Sequence, residues 1–254
     1  MFLFLSVIVA GDGRYFNKEA IQIICRVLAG NGVSNIWIPR SGIMSTPAVS
    51  AAIRRLNNGQ AQGGIVLTAS HNPGGPGEDF GIKYNEGFGQ PAGEEFTERL
   101  YEKSLEIESF ASIEGAPEID LDAEAGSTMS LTDTTTVTII DPFESYLEAL
   151  KSCFDFEGLV KFGQREDFSI LFDGMHGAGG PFARRVLVEE LGLPEVCIFF
   201  LIPRKNLIIG SVVEDKKLIS HVLFHILIIA LYKSHHCCVV ILFQILEDVT
   251  LTPI

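Results

Sequence analysis

The chain predicts an α/β fold with a mixed, largely parallel sheet and helices on both faces. Three observations lead there. Apolar runs of strand length alternate with amphipathic runs of helix length. The links between them are short and carry Gly, Asn and Pro. The first strand is apolar throughout instead of at every second residue, as a strand buried on both faces is.

The elements follow in order. Residues 2–10 read as that continuous apolar strand, which stops at Gly11-Asp12-Gly13. A secretory leader is the competing reading of this start, but it has no basic residues ahead of the apolar run and a turn follows at once. Ile21, Ile24, Cys25 and Leu28 recur at helical spacing, with Asn17 as a cap and Gly30 and Gly32 near the stop. Ile36-Trp37-Ile38 is a short strand. Ser45-Thr46-Pro47 opens a second helix with proline in its first turn, and Val49, Ala52, Ile53 and Leu56 line its inward face until Asn57-Asn58-Gly59 ends it. Gly64–Thr68 is a third strand, completing β-α-β-α-β, whose crossovers are right-handed in a parallel sheet. A polar, glycine-rich stretch over 71–93 precedes a helix through Glu94–Leu105, and the acidic, Ser- and Thr-rich residues 114–135 read as a surface loop or linker.

A second unit starts with a helix at Asp141-Pro142 and continues through a strand, Ser169–Phe172, and a helix, Pro181–Leu191. The expected division is therefore a first domain over 1–140, the beginning of a second, similar domain over 141–195, and an apolar tail over 196–254. The tail has no amphipathic period. Its longest apolar stretch, Val222–Tyr232, is interrupted by His225 and falls short of the roughly 20 residues that span a bilayer.

Composition excludes some partners. A net charge of −13 argues against nucleic acid or an anionic membrane as the main partner. The five cysteines form no ladder of paired spacings, which fits a reducing compartment and a cytoplasmic location. His235-His236-Cys237-Cys238 is a poor zinc motif, because four adjacent side chains do not converge on one tetrahedral ion.

The segment that carries chemistry is Thr68-Ala69-Ser70-His71-Asn72-Pro73-Gly74-Gly75, placed where the third strand ends. Ligand sites in open α/β sheets gather at the carboxyl ends of strands. Asn-Pro and Gly-Gly shape a tight backbone able to turn N–H groups toward an anion, and His71 and Lys83 add donors. The residues alone therefore point to an anion or phosphoryl site with Ser70 as nucleophile, against the alternative of a structural turn.

That run, followed by Asp79-Phe80-Gly81-Ile82-Lys83-Tyr84-Asn85, resembles the active-site signature of α-D-phosphohexomutases of the phosphoglucomutase and parafusin branch. Gly11-Asp12-Gly13-Arg14-Tyr15-Phe16, Gly42-Ile43-Met44-Ser45-Thr46-Pro47 and Asp173-Gly174-Met175-His176-Gly177 match the same pattern in family order. The resemblance covers roughly residues 7–195 and implies that 1–140 is a phosphohexomutase domain I.

It further implies an intramolecular phosphotransferase that interconverts glucose 1-phosphate and glucose 6-phosphate through phosphoserine and bound glucose 1,6-bisphosphate. Carried onto this sequence, Ser70 is the phosphoryl carrier and, as phosphoserine, a ligand of Mg2+. Lys83 stands beside the reacting phosphate as a catalytic and substrate-binding cation, or is a solvated surface lysine. His71 acts on phosphate directly or supports the loop. Arg14 is either a substrate phosphate clamp or one half of a structural ion pair. Asn72, Pro73, Gly74 and Gly75 shape the loop. Asp173 and His176 could pair on a metal, with a plain strand-to-helix loop as the favoured reading.

The family's Asp-Gly-Asp-x-Asp-Arg magnesium loop is absent from the sequence, as are its Gly-Glu-Glu-Ser-type sugar loop and its Thr-Ser-Gly-Leu-Arg phosphate loop. The expectation is a truncated family chain that is inactive as a mutase by itself, with residues beyond 195 foreign to the family. The competing function is a non-catalytic, parafusin-like binding or scaffold protein linked to regulated secretion. Sugar preference and oligomeric state are not written in the sequence.

Overall fold

The computed structural model describes residues 5–56, 61–166, 168–173, 177–194, 198–199, 227–233 and 236–242. Asn57-Asn58-Gly59, Gly174-Met175-His176, His235 and most of the tail lie outside the described residues, so the expectations placed on them do too.

β1 (Ser6–Gly11) is buried along its whole length and lies in the middle of a six-stranded sheet. β2 (Asn35–Pro39) flanks it on one side and β3 (Gly63–Leu67) on the other, both parallel to it. The full order is β4-β3-β1-β2-β6-β5. β6 (Thr136–Ile140) extends the parallel set, while β4 (Ile82–Glu86) and the short β5 (Thr128–Ser130) close the edges in antiparallel sense.

Helices cover both faces, as a doubly wound sheet requires. Along β1, successive side chains alternate between the two cores. Val7 and Val9 face α1 (Asn17–Gly30), where Ile21 and Cys25 join Ile36, Ile38 and Leu67. Ile8 and Ala10 face α2 (Thr46–Arg55), where Val49, Ala52 and Ile53 join Val66. Pro47 sits in the first turn of α2, where its missing N–H leaves no bond unmade.

Three segments depart from the sequence expectations. The glycine-rich stretch after Ser70 contains β4, and the acidic stretch over 114–135 contains β5 and sends Ile119 and Leu121 into the α1 core. Gln22 holds that stretch down by donating to the Ile119 carbonyl at 2.8 Å and accepting from its N–H at 3.0 Å. It is thus no free linker. A helix over residues 156–163 also stands where the sequence reading placed no element.

α4 (Glu144–Cys153) leads to that helix, α5 (Phe156–Gly163), and on to β7 (Phe168–Asp173) and α6 (Gly179–Ala183), which continues as a helical segment to Glu190. β7 pairs in parallel with β8 (Ile198–Phe199) and with β10 (His236–Leu242), and β10 pairs antiparallel with β9 (Leu227–Lys233). Phe182 of α6 packs into the α2 core, with its ring 4.9 Å from Phe143 and 5.6 Å from Tyr146. α3 (Glu94–Glu106) buries no residue and touches the sheet by stacking Phe96 on Tyr84. No helix among the described residues is long and apolar enough to cross a membrane.

Burial in the α1 core pushes the Cys25 thiol up to about 12, from the ordinary value of about 8.5. The fold holds the neutral thiol, so its contribution to stability is whole below the unfolded value and declines as pH rises from there toward about 12. At pH 8, iodoacetamide is expected to label the exposed Cys153 and to spare Cys25 until the chain is denatured. Peptide mass mapping reads the result. Equal labelling of both in the native chain would contradict this packing.

Candidate active site

At its carboxyl end β1 leads through α1 to β2 on one side, while β3, on the other side of β1, leads away to β4. The crevice at the carboxyl ends of β1 and β3 is therefore the switch point where doubly wound sheets place ligands. Asp12-Gly13-Arg14 leaves β1 there, and the loop over residues 68–81 leaves β3 and returns as β4.

The loop is closed at its base, where the Thr68 N–H donates to the Gly81 carbonyl at 2.9 Å. The approach is so close that a Cβ on Gly81 would sit 2.1 Å from the Thr68 carbonyl oxygen. Inside, the Asn72 N–H donates to Ala69 and the Asp79 N–H to Pro73, and Asn72 Nδ2 donates to Asp79 Oδ2 at 2.7 Å. Asn72 thus shapes the loop from within, as its place in the motif implied.

Ser70 stands at the turn of this loop with φ of 54°, the left-handed region that non-glycine residues rarely occupy. Its N–H donates to Thr68 Oγ1 at 3.0 Å, and its Oγ accepts from Lys83 Nζ at 2.9 Å. Lys83 comes from β4, opposite Val66 of β3, so the antiparallel pairing carries an ammonium to the serine. His71 is half-buried, and its imidazole makes no hydrogen bond or ion pair among the described residues. It stays available to an anion bound at the loop.

Arg14 forms an ion pair with Asp12. Its side chain is 0% exposed against 21% for Asp12. Nε donates to both Asp12 carboxylate oxygens at 3.1 and 3.0 Å, and Nη2 donates to Asp12 Oδ2 at 2.8 Å. Its remaining bonds go to the serine loop: Nη1 to the Asp79 carbonyl at 2.8 Å and to that of Asn72 at 3.5 Å, and Nη2 to that of Ser70 at 3.3 Å. Asp12 and Thr68 were not singled out from the sequence, and only the Gly-Asp-Gly-Arg quartet could have flagged Asp12.

The described residues hold no cluster of metal-ligating side chains: they contain no group of three or more His, Cys, Asp or Glu able to hold a metal. Of the three carboxylates at the loop, Asp12 is engaged by Arg14 and Asp79 by Asn72, and Glu78 is exposed. A cavity of about 300 Å³ lies at the ends of β2 and β6, lined by Arg40, Ile43, Asp141, Phe143 and Phe182, and Ser70 is outside it. What the loop can do by itself is present a serine oxygen to a phosphoryl group beside a fixed cation.

Comparison with known proteins places this geometry. Residues 5–110 match the family described as phosphoglucomutase/phosphomannomutase, alpha/beta/alpha domain I. The chain is 41% identical to the cytoplasmic phosphoglucomutase of Bromus inermis over 205 residues, which is 79% of this chain and 35% of the relative. With the cytoplasmic phosphoglucomutase of Solanum tuberosum the identity is 42% over the same shares. The crystal structure of the exocytosis-sensitive phosphoprotein pp63/parafusin, a phosphoglucomutase from Paramecium in its open form, matches with a TM-score of 0.73 and 36% identity. That match covers 80% of this chain and 37% of the Paramecium chain. The chain thus spans about a third of the length of the curated relatives it matches.

Proposed function

Because residues 5–110 belong to domain I of the phosphoglucomutase and phosphomannomutase family, we propose that Ser70 is the phosphoryl carrier of a phosphoglucomutase-type phosphotransferase. The observation that carries this reading is the Lys83 Nζ to Ser70 Oγ hydrogen bond of 2.9 Å at the sheet's switch point. The substrates are hexose phosphates: glucose 1-phosphate, glucose 6-phosphate and the bisphosphate between them. The compartment is the cytoplasm, as in the names of the plant relatives.

In this reading Ser70 Oγ attacks phosphorus of a sugar bisphosphate. The new O–P bond forms as the bond from phosphorus to the sugar oxygen breaks, and the serine proton leaves to that oxygen or to solvent. In the return step the sugar hydroxyl takes the phosphoryl group, and negative charge develops on Ser70 Oγ. Lys83 is placed to stabilise that charge, since its N–H already points at Oγ. His71 offers a second donor to the phosphoryl oxygens. Magnesium is the family's cofactor, and the described residues hold no group of three or more His, Cys, Asp or Glu side chains for it.

The division after residue 140, with a second domain beginning at 141, belongs to the same reading. One wall of a cleft can hold a phosphoryl group on serine; it does not grip a sugar at its far phosphate and turn it round. Mutase turnover by this chain alone is therefore expected to be absent, and glucose 6-phosphate formed above background from glucose 1-phosphate, glucose 1,6-bisphosphate and Mg2+ would overturn that.

The carrier reading is tested by intact mass and phosphosite mapping on chain from its own cells and on chain incubated with glucose 1,6-bisphosphate and Mg2+. Phosphate on Ser70 is expected, and an unmodified Ser70 in both samples would sink it. In the same uptake assay Lys83→Met is expected to slow phosphorylation by about 10²-fold, the usual scale for one preorganised donor at a developing charge. An unchanged rate would reduce Lys83 to a surface lysine. The likeness to an exocytosis-sensitive phosphoprotein favours a second reading, in which the phosphorylated domain is a binding element. Partner binding that survives Ser70→Ala in a chain with no phosphate uptake would favour it.

A further inference from the structure

A serine held at φ 54° is strained for want of a glycine's freedom. Such a conformation persists only where its surroundings fix it from both sides. Here the N–H of Ser70 is held by Thr68 Oγ1 and its carbonyl by Arg14 Nη2. The same guanidinium takes the carbonyls of Asn72 and Asp79, so one buried side chain gathers three points of the loop. Asp12 fixes the guanidinium in turn through both carboxylate oxygens.

We infer that the Asp12–Arg14 pair is a positioning device for the phosphoryl-carrying serine: it holds Ser70 in the left-handed conformation that brings Oγ to Lys83. The inference rests on reading Ser70 as the carrier, and it gives Arg14 a role without any contact to phosphate. A second effect follows from the planarity of the peptide. The carbonyl of Ser70 points to Arg14, and the N–H of His71 shares that peptide plane in the opposite direction. Arg14 therefore turns the His71 N–H away from the protein interior, which adds a backbone donor on the side where an anion can approach. Lysine in place of Arg14 keeps the charge but not the planar fork, and its donors all sit on one nitrogen where arginine's three nitrogens reach four residues.

The test reads the placement of residue 70 directly and needs no phosphoryl donor. In the full chain carrying Ser70→Cys, the pH profile of iodoacetamide alkylation at residue 70 is followed by peptide mapping. Beside the Lys83 ammonium the thiol is expected to titrate below the ordinary value of about 8.5. Adding Arg14→Lys is expected to raise that midpoint by on the order of one unit, back toward the ordinary thiol. Asp12→Asn, which loosens the guanidinium and leaves its charge, is expected to raise it in the same direction. Circular dichroism confirms that each variant is folded.

An unchanged midpoint in both folded variants would overturn the proposal. So would an ordinary midpoint in the Ser70→Cys parent, since Lys83 would then not be held at residue 70. If Arg14→Lys unfolds, Asp12→Asn carries the test; if both unfold, the pair serves the fold as a whole and the positioning role is refuted. Loss of global stability without a local role leaves the midpoint of the folded chain where it was. A Ser70 that never acquires phosphate would remove the carrier reading while leaving this shift intact.

Discussion

Ser70→Ala is expected to abolish phosphate uptake from glucose 1,6-bisphosphate altogether while leaving the fold in place. The two halves of that expectation have separate causes. In the carrier reading uptake depends on a single oxygen, Ser70 Oγ, which accepts from Lys83 Nζ at 2.9 Å. Stability depends on the two cores, from which Ser70 is absent. Alanine at φ 54° is strained as serine is, and the hydrogen bond lost to Lys83 is an exposed one. A change in unfolding free energy within about 1 kcal/mol is therefore expected. Intact mass after incubation gives the first result and a urea midpoint the second. Residual phosphate in the alanine variant would show that the acceptor is another residue.

Gly81→Ala should damage both stability and chemistry. The added Cβ would meet the Thr68 carbonyl oxygen at 2.1 Å, its carbonyl carbon at 3.0 Å and Ala69 Cα at 3.3 Å. All three are backbone atoms, so no side chain can swing aside to relieve the contact. The Thr68 N–H to Gly81 carbonyl bond of 2.9 Å must open, and with it the end of the β3–β4 pairing that delivers Lys83. Overpacking of this kind costs about 1–3 kcal/mol, and more where backbone must move. The expected outcome is a lower urea midpoint together with a fall in phosphate uptake at least as large as that of Lys83→Met. Gly93→Ala is the control, because its Cβ would meet nothing within 4 Å. If both alanines behave alike, the close approach at Gly81 is not what brings Lys83 to Ser70.

The first five elements were legible in the sequence because each carries a strong local signal. β1 is a continuous apolar run in the middle of the sheet, and α1 and α2 show a single apolar stripe with proline or glycine at their ends. β4 was hidden for the converse reason. It is an edge strand whose residues Ile82, Lys83, Tyr84, Asn85 and Glu86 are mostly exposed or half-buried, so burial imposes no apolar alternation on them. β6 follows a stretch rich in Thr, and Thr reads as loop polarity although β-branched residues suit strands. The descent of Ile119 and Leu121 into the core depends on Gln22, nearly a hundred positions away, and no local pattern records such a tie.

The site divides in the same way. Ser70, His71 and Lys83 were found because a long motif links them in sequence. The place of Arg14 was left open between two roles, since a guanidinium that binds phosphate and one that binds main-chain carbonyls are the same letter in the sequence. The folded chain adds what the letter lacks, the buried side chain and its bond to Asp12.

Phe182 belongs by sequence to the segment after residue 140, yet its ring completes the core beneath α2. The covalent link at Ile140–Asp141 is consequently not what keeps the two segments together. A chain nicked there by a protease would run as two pieces under denaturing conditions and as one particle under native ones. A gene cut at that point would yield a first piece with a sticky wound on its surface, in the place that Phe182 fills.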